Sequence, residues 1–258
     1  MLNIENSFDQ KIKSIQYEHI GLTDLKLSSI FNSNIIALKI ENFLSDENID
    51  KIKYFCSNIP NSYKQFFDKN AGWSYPSTFS LVDFSSNQNY LSFNDNTESI
   101  NEGNHYLNYE LKFKLFNVFK ILSGLNTECL KYGNLEICYA TIRNLYAGGE
   151  GMGLHNGQQL FEIYKHSFYS FLNSDLNLSY GQLGFFITIQ NSANEGLLKF
   201  YLNNTEQIAV HTKPGDLIIV DEYFTLHEVS NLSSSNDRIS FGGFLAYNTL
   251  KTKLYAWS

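Results

Sequence analysis

At 258 residues the chain fits one large domain, because single hydrophobic cores stop growing near roughly 250–300 residues. Its 43% hydrophobic content, rich in Phe and Tyr, supplies a sizeable interior, and the net charge of −7 comes without any Lys/Arg cluster. That leaves no footprint for a phosphate backbone and speaks against a nucleic-acid partner.

Residues 1–34 are polar and show no clear period. Residues 35–43 (IIALKIENF) read as a strand, and Ser45-Asp46-Glu47 supplies a helix N-cap with an acidic first turn. Ile49, Ile52, Phe55 and Ile59 follow at helical spacing until Pro60. Residues 77–93 hold two short strand-like stretches, and 109–125 repeat every 3.6 residues as a core-facing helix does. From residue 135 onward short β-rich runs recur, at 135–146, 183–190, 197–202, 207–212, 216–220 and 238–247. Asn203-Asn204 and Pro214-Gly215-Asp216 punctuate them. Residues 165–180 form a Ser/Asn/Tyr-rich insertion that suits a lid. Helices followed by many short strands predict a mainly β jelly roll with flanking helices, a double-stranded β-helix. A single domain over 1–258 is expected, with a helical and strand buttress at 1–134, the jelly-roll core at 135–247 and a tail at 248–258.

Cys56, Cys129 and Cys138 lie far apart without a CxxC pair, which argues against a disulfide scaffold or structural zinc. The first ten residues lack the apolar core of a signal peptide and no run of about 18 apolar residues occurs. A cytoplasmic protein without a membrane span is expected. Only two arginines stand among 17 lysines, Arg143 and Arg238, and a chain so sparing of Arg keeps it where a planar, bidentate fork is needed or places it by chance.

Three features of the β-rich half come in a telling order. His155 follows a strand and a Gly-rich turn (YAGGEGMGLHNG), His227 follows GDLIIVDEYFTL, and Arg238-Ile239-Ser240 opens a strand eleven residues later. Neutral imidazoles suit Fe(II), and a facial ligand set leaves positions open for a chelating cosubstrate and oxygen. The glycine stretch 148–153 is no P-loop, because no Lys-Ser/Thr and no helix follow. It reads as an approach to His155 with glycines at positive φ.

This order resembles the Fe(II)/2-oxoglutarate-dependent oxygenase superfamily, whose pattern is H-x-D/E, a distal His, then R-x-S about ten residues on. The resemblance covers residues 135–247. It implies that His155 and His227 hold iron, that Arg238 and Ser240 anchor 2-oxoglutarate, that Tyr146 offers it a hydroxyl, and that O2 is the oxidant. Gly157 stands where the family's carboxylate belongs. H-x-G resembles the superfamily's non-haem iron halogenases, in which the missing carboxylate lets chloride bind the metal. The spacing of the histidines resembles halogenases acting on freestanding small molecules such as amino acids. A chlorinating enzyme acting on an aliphatic carbon of a small metabolite is therefore expected, with Gly157 opening the halide site. A hydroxylase recruiting another third ligand and a non-catalytic cupin-like binding protein stay open. Gln158, Glu162 and Glu150 are the nearby oxygen donors.

If Tyr146 points inward, strand alternation sends Glu136 and Asn144 inward with it. Glu136 then meets a substrate ammonium or, equally, forms a rim salt bridge, while Arg143 faces the other side in a structural role. Trp73, Phe161, Phe168 and Trp257 are candidate pocket aromatics. His19, His105, His166 and His211 read as surface or structural histidines.

Overall fold

The computed structural model describes residues 11–32, 35–67, 71–76, 105–132, 135–158, 176, 181–192, 195–203, 206–233 and 236–258. The chain begins with β1 (Ile12–Gln16), a 3-10 turn (Tyr17–Leu22), α1 (Leu27–Phe31), β2 (Ala37–Glu41) and α2 (Asp46–Asn58). After a second 3-10 turn (Asn61–Tyr63) come β3 (Gln65–Phe66) and β4 (Gly72–Tyr75). A π-helical turn (Tyr106–Leu111) runs into α3 (Lys112–Ser123), then β5 (Asn126–Cys129), β6 (Lys131–Tyr132), β7 (Leu135–Glu136), β8 (Thr141–Leu145) and β9 (Met152–His155). The remaining strands are β10 (Leu183–Gln190), β11 (Leu198–Asn203), β12 (Glu206–Val210), β13 (Leu217–Asp221), β14 (Leu226–Val229), β15 (Arg238–Tyr247) and β16 (Lys253–Trp257).

Two sheets form the roll. The larger runs β1-β2-β13-β10-β15-β8-β4-β3, with β16 beside β15 and β5 beside β16; the smaller runs β12-β11-β14-β9. This is the mainly β jelly roll that the strand pattern predicts. One core fills the space between the larger sheet and the helices, and a second joins the two sheets around Phe200, Val210, Ile218, Val220 and Val229. β13 shows why its sequence is an unbroken apolar run. Leu217 and Ile219 enter the helix-side core while Ile218 and Val220 enter the inter-sheet core, so both faces are dry. β10 and β15 alternate instead. Phe185, Ile187, Phe241 and Leu245 face the helices, whereas Phe186, Arg238, Ser240 and Phe244 face the gap between the sheets.

The helices hold the larger sheet from behind. Phe119 of α3 meets Phe185 of β10 edge-on, with ring centroids 5.1 Å apart. Ser45 caps α2 by accepting from the Asn48 backbone N–H at 3.4 Å, and Ile49, Ile52 and Phe55 bury the inner face. Loss of that cap in Ser45→Ala should cost about 0.5–1 kcal/mol, read as a lower denaturant midpoint with an unchanged slope.

Four expectations meet a different structure. Residues 135–146 do not form one strand but break into β7 and β8, separated by residues 137–140. The aperiodic N-terminal segment holds β1, a half-exposed edge strand that pairs in parallel with β2. Residues 248–258 are no tail: β16 pairs with β15, and Trp257 is buried behind Phe244 rather than lining a pocket. Trp73 is likewise buried, in β4, under the Lys64 ammonium. The stretches expected at 77–93 lie outside the described residues, as do Phe161, Glu162, His166, Phe168 and all of 165–180 except Leu176. Among the described residues no helix is long and apolar enough to cross a membrane.

Candidate active site

β9 and β14 run antiparallel with His155 directly opposite His227. Opposed residues in such a pair put their side chains on one face within contact distance, and the two ring centroids lie 4.3 Å apart. Each ring is oriented by its own chain. Nδ1 of His155 lies 2.6 Å from the Gly153 carbonyl, and Nδ1 of His227 lies 2.9 Å from the Thr225 carbonyl. A ring donating from Nδ1 to a carbonyl keeps its lone pair on Nε2, the tautomer a metal requires. The glycines leading to His155 include Gly148 and Gly151 at φ of 76° and 71°, the left-handed geometry that their spacing suggested.

The histidines stand at one side of a pocket between the sheets. Arg238 and Ser240 of β15 and Arg143 of β8 line it. The register sets Ser240 opposite Arg143, so both arginines of the chain project into one cavity. Arg238 donates from Nε to the Gly196 carbonyl at 3.0 Å and from Nη1 to Ser240 Oγ at 3.3 Å, which fixes the plane of its guanidinium. Burial and the adjacent Arg143 charge push Arg238 down to about 10. Burial lowers Arg143 as well, opposed by the charge of Glu222. Two cations confined side by side make this end of the pocket a receptor for an anion.

One acid faces them. Glu222 follows the last residue of β13, is 5% exposed, and places Oε1 3.4 Å from Nε2 of His227. One ligand atom from each of His155, Glu222 and His227 can be chosen so that all lie within 4.8 Å of one another. Burial works against the Glu222 carboxylate, but the His227 hydrogen bond and the charges of His227, Arg143 and His155 hold its pKa below the usual range. Burial likewise pulls His227 down, and Glu222 more than reverses it. His155 is lowered by burial and by the charge of His227. Two imidazole nitrogens and one ionised carboxylate are the donor set that suits Fe(II).

Gly157 is buried, and its N–H donates to the carbonyl of Glu222 at 2.8 Å. A Cβ on it would lie 3.2 Å from Tyr223 Cα and 3.3 Å from Gln182 Nε2. The position without a side chain is thus bonded to the backbone of the residue whose carboxylate reaches His227.

The strand alternation assigned to residues 136–146 is reversed in the structure. Arg143 and Leu145 face the pocket, Ile142 enters the helix-side core, and Tyr146 packs half-buried against that same core. A one-residue shift of phase flips every side chain. Asn144, buried, donates to Asp237 at 2.9 Å, and Asp237 also accepts from the Ala147 N–H, so this pair pins the turn beside Arg238. Glu136 is the rim salt bridge, 2.6 Å from Lys112 Nζ with its side chain 52% exposed. Neither Glu136 nor Asn144 reaches the pocket, and Tyr146 does not line it. Arg143 and Glu222 are the site residues that sequence reasoning missed. Gln158 and Glu150 are exposed, as are His19, His105 and His211. Cys56, Cys129 and Cys138 are free and buried.

The family model described as "Carrier-protein-independent halogenase WelO5" matches residues 197–258, the segment that carries Glu222, His227, Arg238 and Ser240. A comparison with curated protein sequences gives no match. Among solved structures, the chain resembles a prolyl hydroxylase from Trichoplax adhaerens in complex with a hypoxia inducible factor oxygen degradation domain peptide fragment. The two share 12% identity over 91% of this chain and 93% of that one, with a TM-score of 0.55. It also resembles SnoK, a non-heme alpha ketoglutarate dependent carbocyclase from nogalamycin biosynthesis, with 11% identity over 86% and 87% and a TM-score of 0.52. At such identities the likeness is one of fold: the chain shares the jelly roll of these two enzymes.

Proposed function

We propose that this protein is an Fe(II)- and 2-oxoglutarate-dependent enzyme that oxidises an aliphatic C–H bond of a small molecule, with a free amino acid as the first substrate class to test. One observation carries the reading. The opposed His155–His227 pair, each ring oriented through Nδ1 by a backbone carbonyl, shares a pocket with the chain's two arginines. When bound, iron supplies the redox chemistry with oxygen and the 2-oxo acid. The residues of the chain do the rest. His155 and His227 hold the metal, and Arg238, steadied by Gly196 and Ser240, presents its planar fork to the distal carboxylate of the cosubstrate. Arg143 adds the second positive charge that a dianionic acid needs in a dry cavity. Phe186, Phe244 and Met152 exclude water around them. The name of SnoK, non-heme and alpha ketoglutarate dependent, agrees with this reading.

Which atom is transferred to the substrate has two readings. Transfer of chlorine is supported by the glycine at 157, where the resemblance places the family's carboxylate, and by the match to the halogenase model. Transfer of oxygen is supported by Glu222, whose carboxylate stands beside His227. Aerobic turnover with iron, 2-oxoglutarate and candidate amino acids, with and without chloride, separates them by product mass. A chlorine isotope pair marks the first and a single added oxygen the second. Succinate formation that does not depend on iron would sink both.

A further inference from the structure

We infer that Glu222 is the third protein ligand of the metal, replacing from the end of β13 the carboxylate that position 157 lacks. The inference rests on the proposed iron site and narrows it. Three observations carry it, each separate from the resemblance that singled out the histidines. The first is distance. Donors bound at about 2.1 Å to one ion lie roughly 3.0–3.4 Å apart, and Glu222 Oε1 lies 3.4 Å from His227 Nε2. The second is room made for this carboxylate. A Cβ at Gly184 of β10 would meet Glu222 Oε2 at 2.1 Å, so a side chain there and this rotamer of Glu222 exclude one another. The third is its setting. Glu222 is 5% exposed in a pocket shared with both histidines and both arginines, and its close partner there is Nε2 of an imidazole whose Nδ1 is already held by a backbone carbonyl.

Backbone connectivity explains how residue 222 does the work of residue 157. The Gly157 N–H donates to the Glu222 carbonyl and the Gln158 N–H to the Tyr223 carbonyl. The two segments therefore run side by side, two residues on from His155 and five before His227. A glycine at 157 leaves the carboxylate to 222. The site would then offer a two-histidine, one-carboxylate donor set, which favours oxygen transfer over chlorine transfer.

Co(II) is the probe, titrated into wild type, Glu222→Gln, Gly184→Ala, His155→Ala and His227→Ala, with far-ultraviolet circular dichroism to verify folding. The His variants should lose binding. Glu222→Gln should bind at least about tenfold more weakly, and at saturating metal its visible d–d bands should move, because an inner ligand has changed. Gly184→Ala, which leaves every donor in place but crowds the carboxylate, should move the bands the same way. Glu222→Gln bands that superimpose on wild type would overturn the assignment, since a carboxylate acting only through His227 changes affinity without changing the coordination sphere. If the His variants also bind as wild type, the iron site itself falls, and Glu222 with it.

Discussion

Replacing His227 by alanine should lower Fe(II) affinity by more than about a hundredfold, the upper end of what losing an outer partner of a ligand costs, and should abolish iron-dependent 2-oxoglutarate turnover. The expectation follows from strand register. His227 is 3% exposed at the centre of the smaller sheet, paired with His155 on one side and with Phe200 on the other. Its ring cannot swing away, because Thr225 holds Nδ1 and Phe200 packs 6.2 Å from it. The alanine variant also leaves Glu222 as a buried carboxylate without its imidazole partner, which works against stability in the metal-free protein. The metal-free variant should therefore melt below metal-free wild type, and added Fe(II) should raise the melting temperature of wild type alone, since only a bound ion stabilises by mass action. Calorimetric Fe(II) titration under anaerobic conditions, paired with thermal unfolding, checks both. Undiminished affinity in His227→Ala would remove the metal from this pocket.

Much of the fold was legible because burial leaves a period behind it. β10 and β15 were read from the sequence at the limits the structure gives them, 183–190 and 238–247, since each alternates between a helix-facing apolar row and a pocket-facing row. The helix over 109–125 was legible from Leu111, Leu115, Val118, Phe119 and Leu122, all buried on one side. Strands held by register alone were not. β9 is only partly buried, with two glycines in or beside it, and it exists because β14 pairs with it. β1 is an edge strand with no fully buried residue, so its sequence has no apolar row to display. β16 follows a turn at Asn248–Lys253 and looked like a terminus because its outer positions are half-exposed.

The site divides in the same way. His155, His227, Arg238 and Ser240 were legible from motif order, and the structure brings all four to one pocket. The rarity of arginine pointed equally to Arg143, but anchoring the phase of β8 on Tyr146 turned it outward. Residues 137–140 interrupt the strand, so alternation could not be counted through them from Glu136. A phase counted back across the β15 partner, with Arg143 opposite Ser240, finds it. Glu222 had a quieter signal. Asp221-Glu222 closes an apolar run buried on both faces, and an acid at the end of such a strand has little water to turn to. Its relation to Gly157 is a tertiary hydrogen bond between residues 65 positions apart, which no local pattern encodes.

Arg238→Met should raise the 2-oxoglutarate concentration needed for half-saturation roughly a hundredfold while leaving Fe(II) affinity within about threefold. Truncating one member of a buried charge pair costs about 2–5 kcal/mol, and each 1.4 kcal/mol is about tenfold in affinity. The hydrogen bonds of Arg238 run to Gly196 and Ser240, so the loss should fall on the anion and spare the ion. Arg238→Lys should recover little. An ammonium cannot bond Gly196 and Ser240 and still present two parallel N–H groups to a carboxylate. The neighbouring Arg143 sharpens the contrast, because its charge already disfavours a cation at 238, and a lysine there would shed its proton more readily than a guanidinium does. Arg143→Met should then act in a graded way, weakening 2-oxoglutarate less than Arg238→Met, since Arg143 gives charge to the pocket without the Ser240 and Gly196 bonds that fix its neighbour. Anaerobic calorimetry of 2-oxoglutarate binding to the metal-loaded proteins measures all three. An Arg143→Met deficit larger than that of Arg238→Met would reassign the carboxylate clamp from β15 to β8.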